Sequence, residues 1–433
     1  MSEARITASG GRVVFTYAPF RNYEFARSLM VISLEMQSVA VGWQVYEITR
    51  KPLALGITGL VQFLPGVLLF LVAGHAADSL PRRRLLTACY VAFAACSALL
   101  LTIALRGSER VYPIYGVLVL VGVVRSFSGP ATRAILPQLV PIELLPSAFA
   151  WHASIFQTAS ILGPALGGLI YAAFRGPAAV YATAAAAGLV AGLATVGIRM
   201  TGAASAREPV SSRTILAGLR YIWHEKVILG SISLDLVAVL LGGAVALLPV
   251  FAREILRTGP WGLGVLRSAP GVGAAIMALV LAYRPLRRRA GMAMLWCVAG
   301  FGAATVIFGL SRSLLVSVLS LALVGATDMV SVVVRGTLIQ IKTPDEMRGR
   351  VNAVDMVFIG ASNELGEFES GLTAEWFGAV PAVILGGIGA ILATALWAWW
   401  FPALRQADQL VDPRDNPRLG TPVAKPDQGV PGG

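Results

Sequence analysis

The sequence predicts an all-α membrane protein: twelve transmembrane helices in two six-helix bundles that repeat in parallel. Three observations lead there. Of 433 residues, 56% are hydrophobic and only 13% are charged, where a soluble chain carries about 25% charged residues. Twelve apolar segments each approach the ~20 helical residues that cross a hydrocarbon core about 30 Å thick. Two blocks of the first half also reappear in the second half, in the same order.

In chain order the segments are 25–46, 53–77, 85–105, 111–136, 148–174, 178–198, 227–251, 263–282, 292–310, 314–340, 351–377 and 380–401. Helices are expected in each, because lipid offers no partner for backbone N–H and C=O groups. With the N-terminus inside, the cytoplasmic loops carry Arg82–Arg84, Arg133, the 199–226 connection, Arg284 with Arg287–Arg289, and Lys342 with Arg348 and Arg350. The external loops carry fewer cations: Arg50 with Lys51, Arg106 with Arg110, Arg253 with Arg257, and Arg312. This asymmetry sets topology, and an even helix count returns the C-terminus to the cytoplasm. It also accounts for the net charge of +12, so nucleic acid is excluded as a partner. Cys89, Cys96 and Cys297 lie inside apolar segments, with no metal-ligand spacing and no disulfide framework. No cleavable signal is expected, since the first apolar run is too long for a signal h-region.

The resulting division is a cytoplasmic tail at 1–19, a six-helix bundle at 20–199, a cytoplasmic linker at 200–226, a second bundle at 227–403 and a disordered cytoplasmic tail at 404–433. Within the linker, Ser212 to His224 has the spacing of an amphipathic helix: Ile215, Leu219 and Ile222 share a face, and Ser211 or Ser212 can cap it. It is expected to lie along the inner membrane surface, as a plain linker or as a regulatory docking site. The repeat is read from two shifts. Moving 60–84 by 205 places Pro65-Gly66-Val67 on Pro270-Gly271-Val272 and Arg82–Arg84 on Arg287–Arg289; moving 133–143 by 202 places Arg133, Leu136 and Gln138 on Arg335, Leu338 and Gln340, and Glu143 on Asp345. Parallel repeats suit a transporter whose two halves rock about a central site.

Between the second and third segments lies Gly74-His75-Ala76-Ala77-Asp78-Ser79-Leu80-Pro81-Arg82-Arg83-Arg84. The spacing Gly74-x-x-x-Asp78-x-x-x-Arg82-Arg83 resembles the corresponding loop of the major facilitator superfamily of secondary transporters. Gly74 would permit close helix approach, and Asp78 could accept hydrogen bonds from a helix N-terminus across the half interface, near Arg348 to Val351. The arginines alone would serve topology; Asp78 reads as a gate. The second copy, from Tyr283 to Arg287, keeps the positive charge but neither Gly nor Asp.

Arg125-Ser126-Phe127-Ser128-Gly129 in the fourth segment resembles the superfamily's Arg-to-Gly pattern there. Arg125 falls about 21 Å along the helix from the outer face, where an arginine must face a cavity or an acid. Gly163-Pro164-Ala165-Leu166-Gly167-Gly168 in the fifth segment resembles the Gly-Pro pattern of antiporting members, with Ser160 where a glycine is common. Pro164 kinks the helix and the glycines allow tight packing.

Buried acids carry the chemistry. Glu35 falls near the centre of the first segment. Asp235 falls about 12 Å into the seventh. Asp328, in the tenth, is nearly level with Arg125 through the repeat. The eleventh segment holds Asp355 and then Glu364, Glu367 and Glu369, with Glu364 and Glu367 on one face and Glu369 turned away by about 160°. These carboxylates cannot all be charged in hydrocarbon; they must be protonated, paired with a cation such as Arg125, or wet. Glu35, Glu364 and Glu367 are the candidate proton carriers. The alternatives are a carboxyl that locks helices for Glu35 and a solvated vestibule for Glu367 and Glu369. His152 reads as structural. Trp43 and Gln44 could contact substrate, or the tryptophan could pack against lipid or helices.

No metal cluster, nucleophile triad or phosphate-binding loop is present in the sequence, so neither enzyme chemistry nor a cofactor is expected. Thr343-Pro344-Asp345-Glu346-Met347-Arg348-Gly349-Arg350-Val351 and Leu216-Ala217-Gly218-Leu219-Arg220-Tyr221 look like the superfamily branch that contains the enterobactin exporter. Met36 to Gln44 and the acids of the eleventh segment look like features of a subgroup. The resemblance implies a monomeric exporter of a small amphipathic molecule, a drug-like compound or a siderophore, in a bacterial inner membrane. Its partners would be lipids, that substrate and protons. An uncoupled facilitator or lipid flippase of the same fold is the alternative, and a non-transporting scaffold gains little from desolvated acids.

Overall fold

The computed structural model describes residues 13–198, 212–286 and 289–407, with the side chains at 70–71, 77–78, 133–134 and 212–215 outside that description. Residues 1–12 and 408–433 of the expected tails, Ser211, Arg287 and Arg288 lie outside the described residues, as do the side chains of Asp78, Arg133 and Ile215. Residues 404–407, expected in the disordered tail, instead pack on the bundle, with Leu404 buried and the Ala407 carbonyl accepting from Gly291 N–H at 3.0 Å. The described residues are helical with short connections. In order they form α1 (Ala18–Thr49), α2 (Pro52–Leu68), α3 (Phe70–Ser79), α4 (Arg82–Leu105), α5 (Tyr112–Ile135), α6 (Leu145–Ala173) and α7 (Ala178–Val196). The linker helix is α8 (Ser212–His224). Then follow α9 (Lys226–Leu241), α10 (Gly259–Tyr283), α11 (Ala290–Leu310), α12 (Leu314–Lys342), α13 (Asp345–Phe377) and α14 (Ala379–Trp400).

Among the described residues, nine helices are long and apolar enough to cross a membrane by length and composition. The other three expected spans fall on α1, on α2 with α3, and on α13. α1 and α13 carry the ionisable residues of the site described below. The second span is broken at Leu69, four residues after Pro65, whose ring removes a backbone donor inside the helix. The seventh expected span is also interrupted. After α9 the chain passes Gly242 and Gly243, makes short helical turns at Ala244–Leu247 and Leu248–Val250, and ends in a π-turn at Phe251–Ile255.

Two bundles result. In the N-terminal one, α4 packs on α7 and α5, α1 on α6 and α7, and α2 on α5; in the C-terminal one, α11 packs on α14 and α12, α10 on α12, and α9 on α13 and α14. Two helix pairs make the main crossings between the bundles, α2 with α13 and α6 with α10, and α1 also touches α10. The α2–α13 crossing lies toward the end bearing Thr49, Pro52, Gly259 and Phe377, the end expected to be external. There Gly56 and Gly371 face each other, and Leu53 N–H lies 3.4 Å from Glu375 Oε2.

α8 packs on the opposite end of α13, the end expected to be internal. Tyr221 Oη donates to the Lys342 carbonyl at 2.7 Å, and buried Ile222 joins Ile228, Ile232, Ile339, Val351 and Val354. Leu219, expected on the same face as Ile222, is instead exposed together with Leu216 and Trp223. The helix buries Gly218 and Ile222 against protein, so its apolar residues divide between two sides.

Candidate functional site in the central cavity

Between the bundles lies a cavity of about 630 Å³ of empty space, lined by side chains from five helices. α1 contributes Glu35 and Gln37, α2 Gln62, α5 Arg125, α10 Arg267, and α13 Glu364 and Glu367. The sequence-predicted Glu35, Arg125, Glu364 and Glu367 therefore share one space. The i, i+3 spacing of the two glutamates turns both toward α2. A Cβ added at Gly59 would stand 2.8 Å from Glu367 Oε2 and 3.1 Å from Glu364 Oε2, so only a glycine lets α2 lie this close.

Arg125 Nη1 lies 3.9 Å from Glu364 Oε1, an ion pair that joins the two bundles. Arg125 is open to the cavity, with 45% of its side chain exposed, while Glu364 is at 19%. Arg267 was not singled out from sequence, although a lone arginine inside an apolar segment is the same signal that marked Arg125. Both guanidinium groups act electrostatically on both glutamates. The cavity thus gathers three carboxyl groups and two guanidinium groups. Gln37 is fixed beneath it by a hydrogen bond from Ser97 Oγ at 2.6 Å.

The Gly-Pro motif of α6 forms the wall behind Glu35. A Cβ at Gly163 would stand 2.5 Å from Glu35 Cβ, and one at Gly167 would stand 2.8 Å from Met36 Cα. Gly168, on another side of the helix, meets Gly264 and the Pro260 carbonyl of α10. Pro164 is buried between these contacts. The α6–α10 crossing is further tied by Ser268 Oγ to the Ile161 carbonyl at 2.7 Å and by Gln157 Nε2 to the Gly271 carbonyl at 2.9 Å.

Other expected residues lie elsewhere. Asp235 and Asp328 do not line the central cavity; they sit with Arg335, Ser331 and Asp355 inside the C-terminal bundle. Trp43 and Gln44 are buried and engaged by protein. Trp43 lies under the Arg253 guanidinium at 5.3 Å and against Tyr171, and Gln44 accepts from Tyr181 Oη at 2.7 Å. Neither lines the central cavity; the Thr49 end of α1 is packed by α6 and α7 and held by Arg253 and Glu254 of the π-turn. Glu369 accepts from Thr373 Oγ1 at 2.6 Å.

In the Gly74 loop, no described atom lies within 4 Å of a Cβ placed at Gly74. Among the described residues the close approach expected there is not made. Asp78 belongs to α3, and its side chain lies outside the described residues. Arg83 Nη1 donates to the Ile198 carbonyl at 3.1 Å, at the C-terminal end of α7, where a cation suits the helix dipole; Arg82 is half-buried beside it. His152 is structural in geometry. Its Nδ1 lies 2.6 Å from Glu24 Oε1, its ring stacks on Tyr23, and Arg27 holds both Glu24 and the His152 carbonyl. Glu24 and Arg27, at the edge of the first segment, escaped notice in sequence.

Residues 14–429 match the family described as transmembrane secretion effector. The chain is 27% identical over 385 residues to the enterobactin exporter EntS of Shigella boydii serotype 18, covering 87% of this chain and 86% of that protein. The same protein of Escherichia coli O81 gives the same identity and coverage. Among solved structures, the nucleoside transporter NupG aligns over 88% of this chain and 99% of its own, with TM-score 0.67 and 13% identity. A bacterial homologue of the iron transporter ferroportin, in its inward-facing state, aligns over 88% and 98%, with TM-score 0.66 and 16% identity.

Proposed function

Because this chain belongs to the transmembrane secretion effectors, a family of major facilitator transporters, we propose that it exports a small amphipathic molecule by proton-coupled alternating access. The protein is a multi-pass transporter of the bacterial inner membrane and not an enzyme. The substrate is a drug-like compound or a siderophore, and both termini face the cytoplasm.

The observation that carries this proposal is the charged cavity shared by the two bundles. Arg125 and Glu35 belong to one half, and Glu364, Glu367 and Arg267 to the other. A unit-charge pair near 4 Å is worth about 4 kcal/mol at an effective dielectric of 20. The exposure of Arg125 reduces that through solvent screening. A change of only about 1.4 kcal/mol still shifts the ratio of two states tenfold. A proton on Glu364 cancels the attraction to Arg125 and frees the halves to move. A cationic substrate group competes with that proton for Glu364. Proton and substrate then exclude each other from one acid while either can release the Arg125 pair, as antiport requires. Glu35 sits on the N-terminal side of the same space and is the second proton carrier.

The test is transport in inverted membrane vesicles, with enterobactin and ethidium as the probes and an imposed pH gradient. The expected result is gradient-dependent uptake of at least one probe, reduced to background in Glu364→Gln and Glu35→Gln. Uptake indifferent to the gradient would instead assign an uncoupled facilitator or flippase.

A further inference from the structure

A second group of charged side chains lies inside the C-terminal bundle. Asp235 comes from α9, Asp328, Ser331 and Arg335 from α12, and Asp355 from α13. Positions 328, 331 and 335 are spaced i, i+3 and i+7, so one side of α12 presents all three. Arg335 Nη1 pairs with Asp235 Oδ2, and its Nε lies 3.4 Å from Asp355 Oδ1. Ser331 Oγ donates to Asp235 Oδ1 at 3.0 Å. Arg335 is 3% exposed and Asp355 9%. Asp355 Oδ1 is fully enclosed and accepts no hydrogen bond. Asp328 makes no hydrogen bond or ion pair among the described residues. It faces a small gap that Asp235, Thr327 and Ser331 also line, with Val298 and Phe301 of α11 on its wall.

Counting charge identifies what is missing. Three carboxyl groups surround one guanidinium, which cannot give up its proton in a protein. Fully ionised, the cluster would hold two uncompensated negative charges, and an unpaired buried charge costs far more than a neutral acid. The helices packed on α12 are α9, α10, α11 and α13. α11 carries no carboxylate, cation or histidine and only the thiol of Cys297 as a titratable group, and the arginine of α10, Arg267, faces the central cavity. No further cation reaches the cluster from these helices among the described residues. Asp235 has both oxygens engaged, and Asp355 takes the other edge of Arg335. Asp328 is left with space and no donor.

We propose that Asp328 is the proton-binding group of a second ion site within the C-terminal bundle, with Arg335 as the fixed counter-charge shared by Asp235 and Asp355. A proton held there brings the cluster closer to neutral. Its release makes Asp328 a third competitor for Arg335 and so biases how α9, α12 and α13 pack. This site stands apart from the central cavity and does not depend on the role given to Glu364 or Glu35.

The test uses the purified full-length protein in lipid nanodiscs and needs no substrate. Infrared difference spectra across an acid-to-alkaline titration, in light and heavy water, read the carbonyl stretch of protonated carboxyl groups. Asp328→Asn is expected to remove one such band and to release one proton fewer, while Glu35→Gln and Glu364→Gln leave that band in place. Asp328→Glu is expected to restore a titrating band at a shifted frequency, which separates loss of a proton site from misfolding. An Asp328→Asn spectrum that keeps every band of the unsubstituted protein overturns the proposal. So does an Asp328→Glu protein that folds but regains no band. Either result leaves the vesicle test of Glu364 and Glu35 unaffected.

Discussion

At the scale of single residues, Gly163 decides how closely Glu35 can lie against α6. A methyl group there would stand 2.5 Å from Glu35 Cβ and 3.0 Å from the Ile32 carbonyl, closer than real carbon contacts allow. α1 would have to shift, at a cost of about 1–3 kcal/mol for overpacking. Gly163→Ala is therefore expected to lower the thermal unfolding midpoint and weaken gradient-driven transport together. Gly129→Ala is the control, because no described atom lies within 4 Å of its added methyl; its stability should stay within about 0.5 kcal/mol or improve. Equal stability and equal transport in the two variants would refute the packing argument. The sequence shows the Gly-Pro motif but not its partner. Spacing along α6 reveals that small residues share a face, and nothing in that spacing names Glu35 as what fills the gap. Charge is more legible. An acid or arginine in an apolar segment must be compensated, so Glu35, Arg125, Glu364 and Glu367 were identifiable. The same logic could not tell that Asp235 and Asp328 join a different cluster, because depth in the membrane is readable from sequence and helix rotation is not.

At the scale of elements, the π-turn Phe251–Ile255 meets the outer ends of α1 and α6. Tyr46 Oη donates to Glu254 Oε1, Arg253 Nη1 lies 3.2 Å from Glu47 Oε1, and Tyr171 Oη donates to Glu47 Oε2 at 3.1 Å. Arg253 also stacks over Trp43. These contacts bind the N-terminal bundle to the C-terminal one at the outer end. Glu47 is half-exposed, so its ion pair contributes little. The hydrogen bond from Tyr46 to a charged acceptor is worth about 1.5–3 kcal/mol, enough to shift a two-state ratio at least tenfold. Tyr46→Phe is expected to enrich the outward-open state. Spin labels at the outer ends of α1 and α10 should then report a longer distance population without added substrate, and an unchanged distribution would remove Tyr46 from the outer seal. From sequence, Arg253 and Arg257 were only cations in an external loop. The π-turn was not readable, because hydrophobic periodicity marks a helix and does not report one extra residue in a turn. α8 is a similar case: its amphipathic spacing was visible, but which side docks on α13 depends on the close fit of Gly218 against Arg350.

At the scale of the whole molecule, the repeat in the sequence paired the two halves correctly in order and direction, yet it could not say which ends of the bundles touch. That is set by the tilt between bundles, a property of the conformational state. In this structure α2 meets α13 near the outer end, while no described atom lies within 4 Å of a Cβ placed at Gly74, at the other end of the N-terminal bundle. If the halves rock about the cavity, the outer ends of α2 and α13 must part in every cycle. Leu53 and Glu375 lie there, with Leu53 N–H 3.4 Å from Glu375 Oε2. Cysteines at these two positions, joined by a short thiol crosslinker after Cys89, Cys96 and Cys297 are replaced, are expected to reduce transport to background. A reducing agent that cleaves the crosslinker should restore it. The control pairs Thr87 on α4 with Thr195 on α7, whose Oγ1 atoms lie 2.8 Å apart within one bundle. A crosslink there constrains a unit that moves as a body, so transport should persist. Full transport with Leu53 and Glu375 crosslinked would show that the seam does not open during turnover, and the rocking of two rigid halves would have to be abandoned.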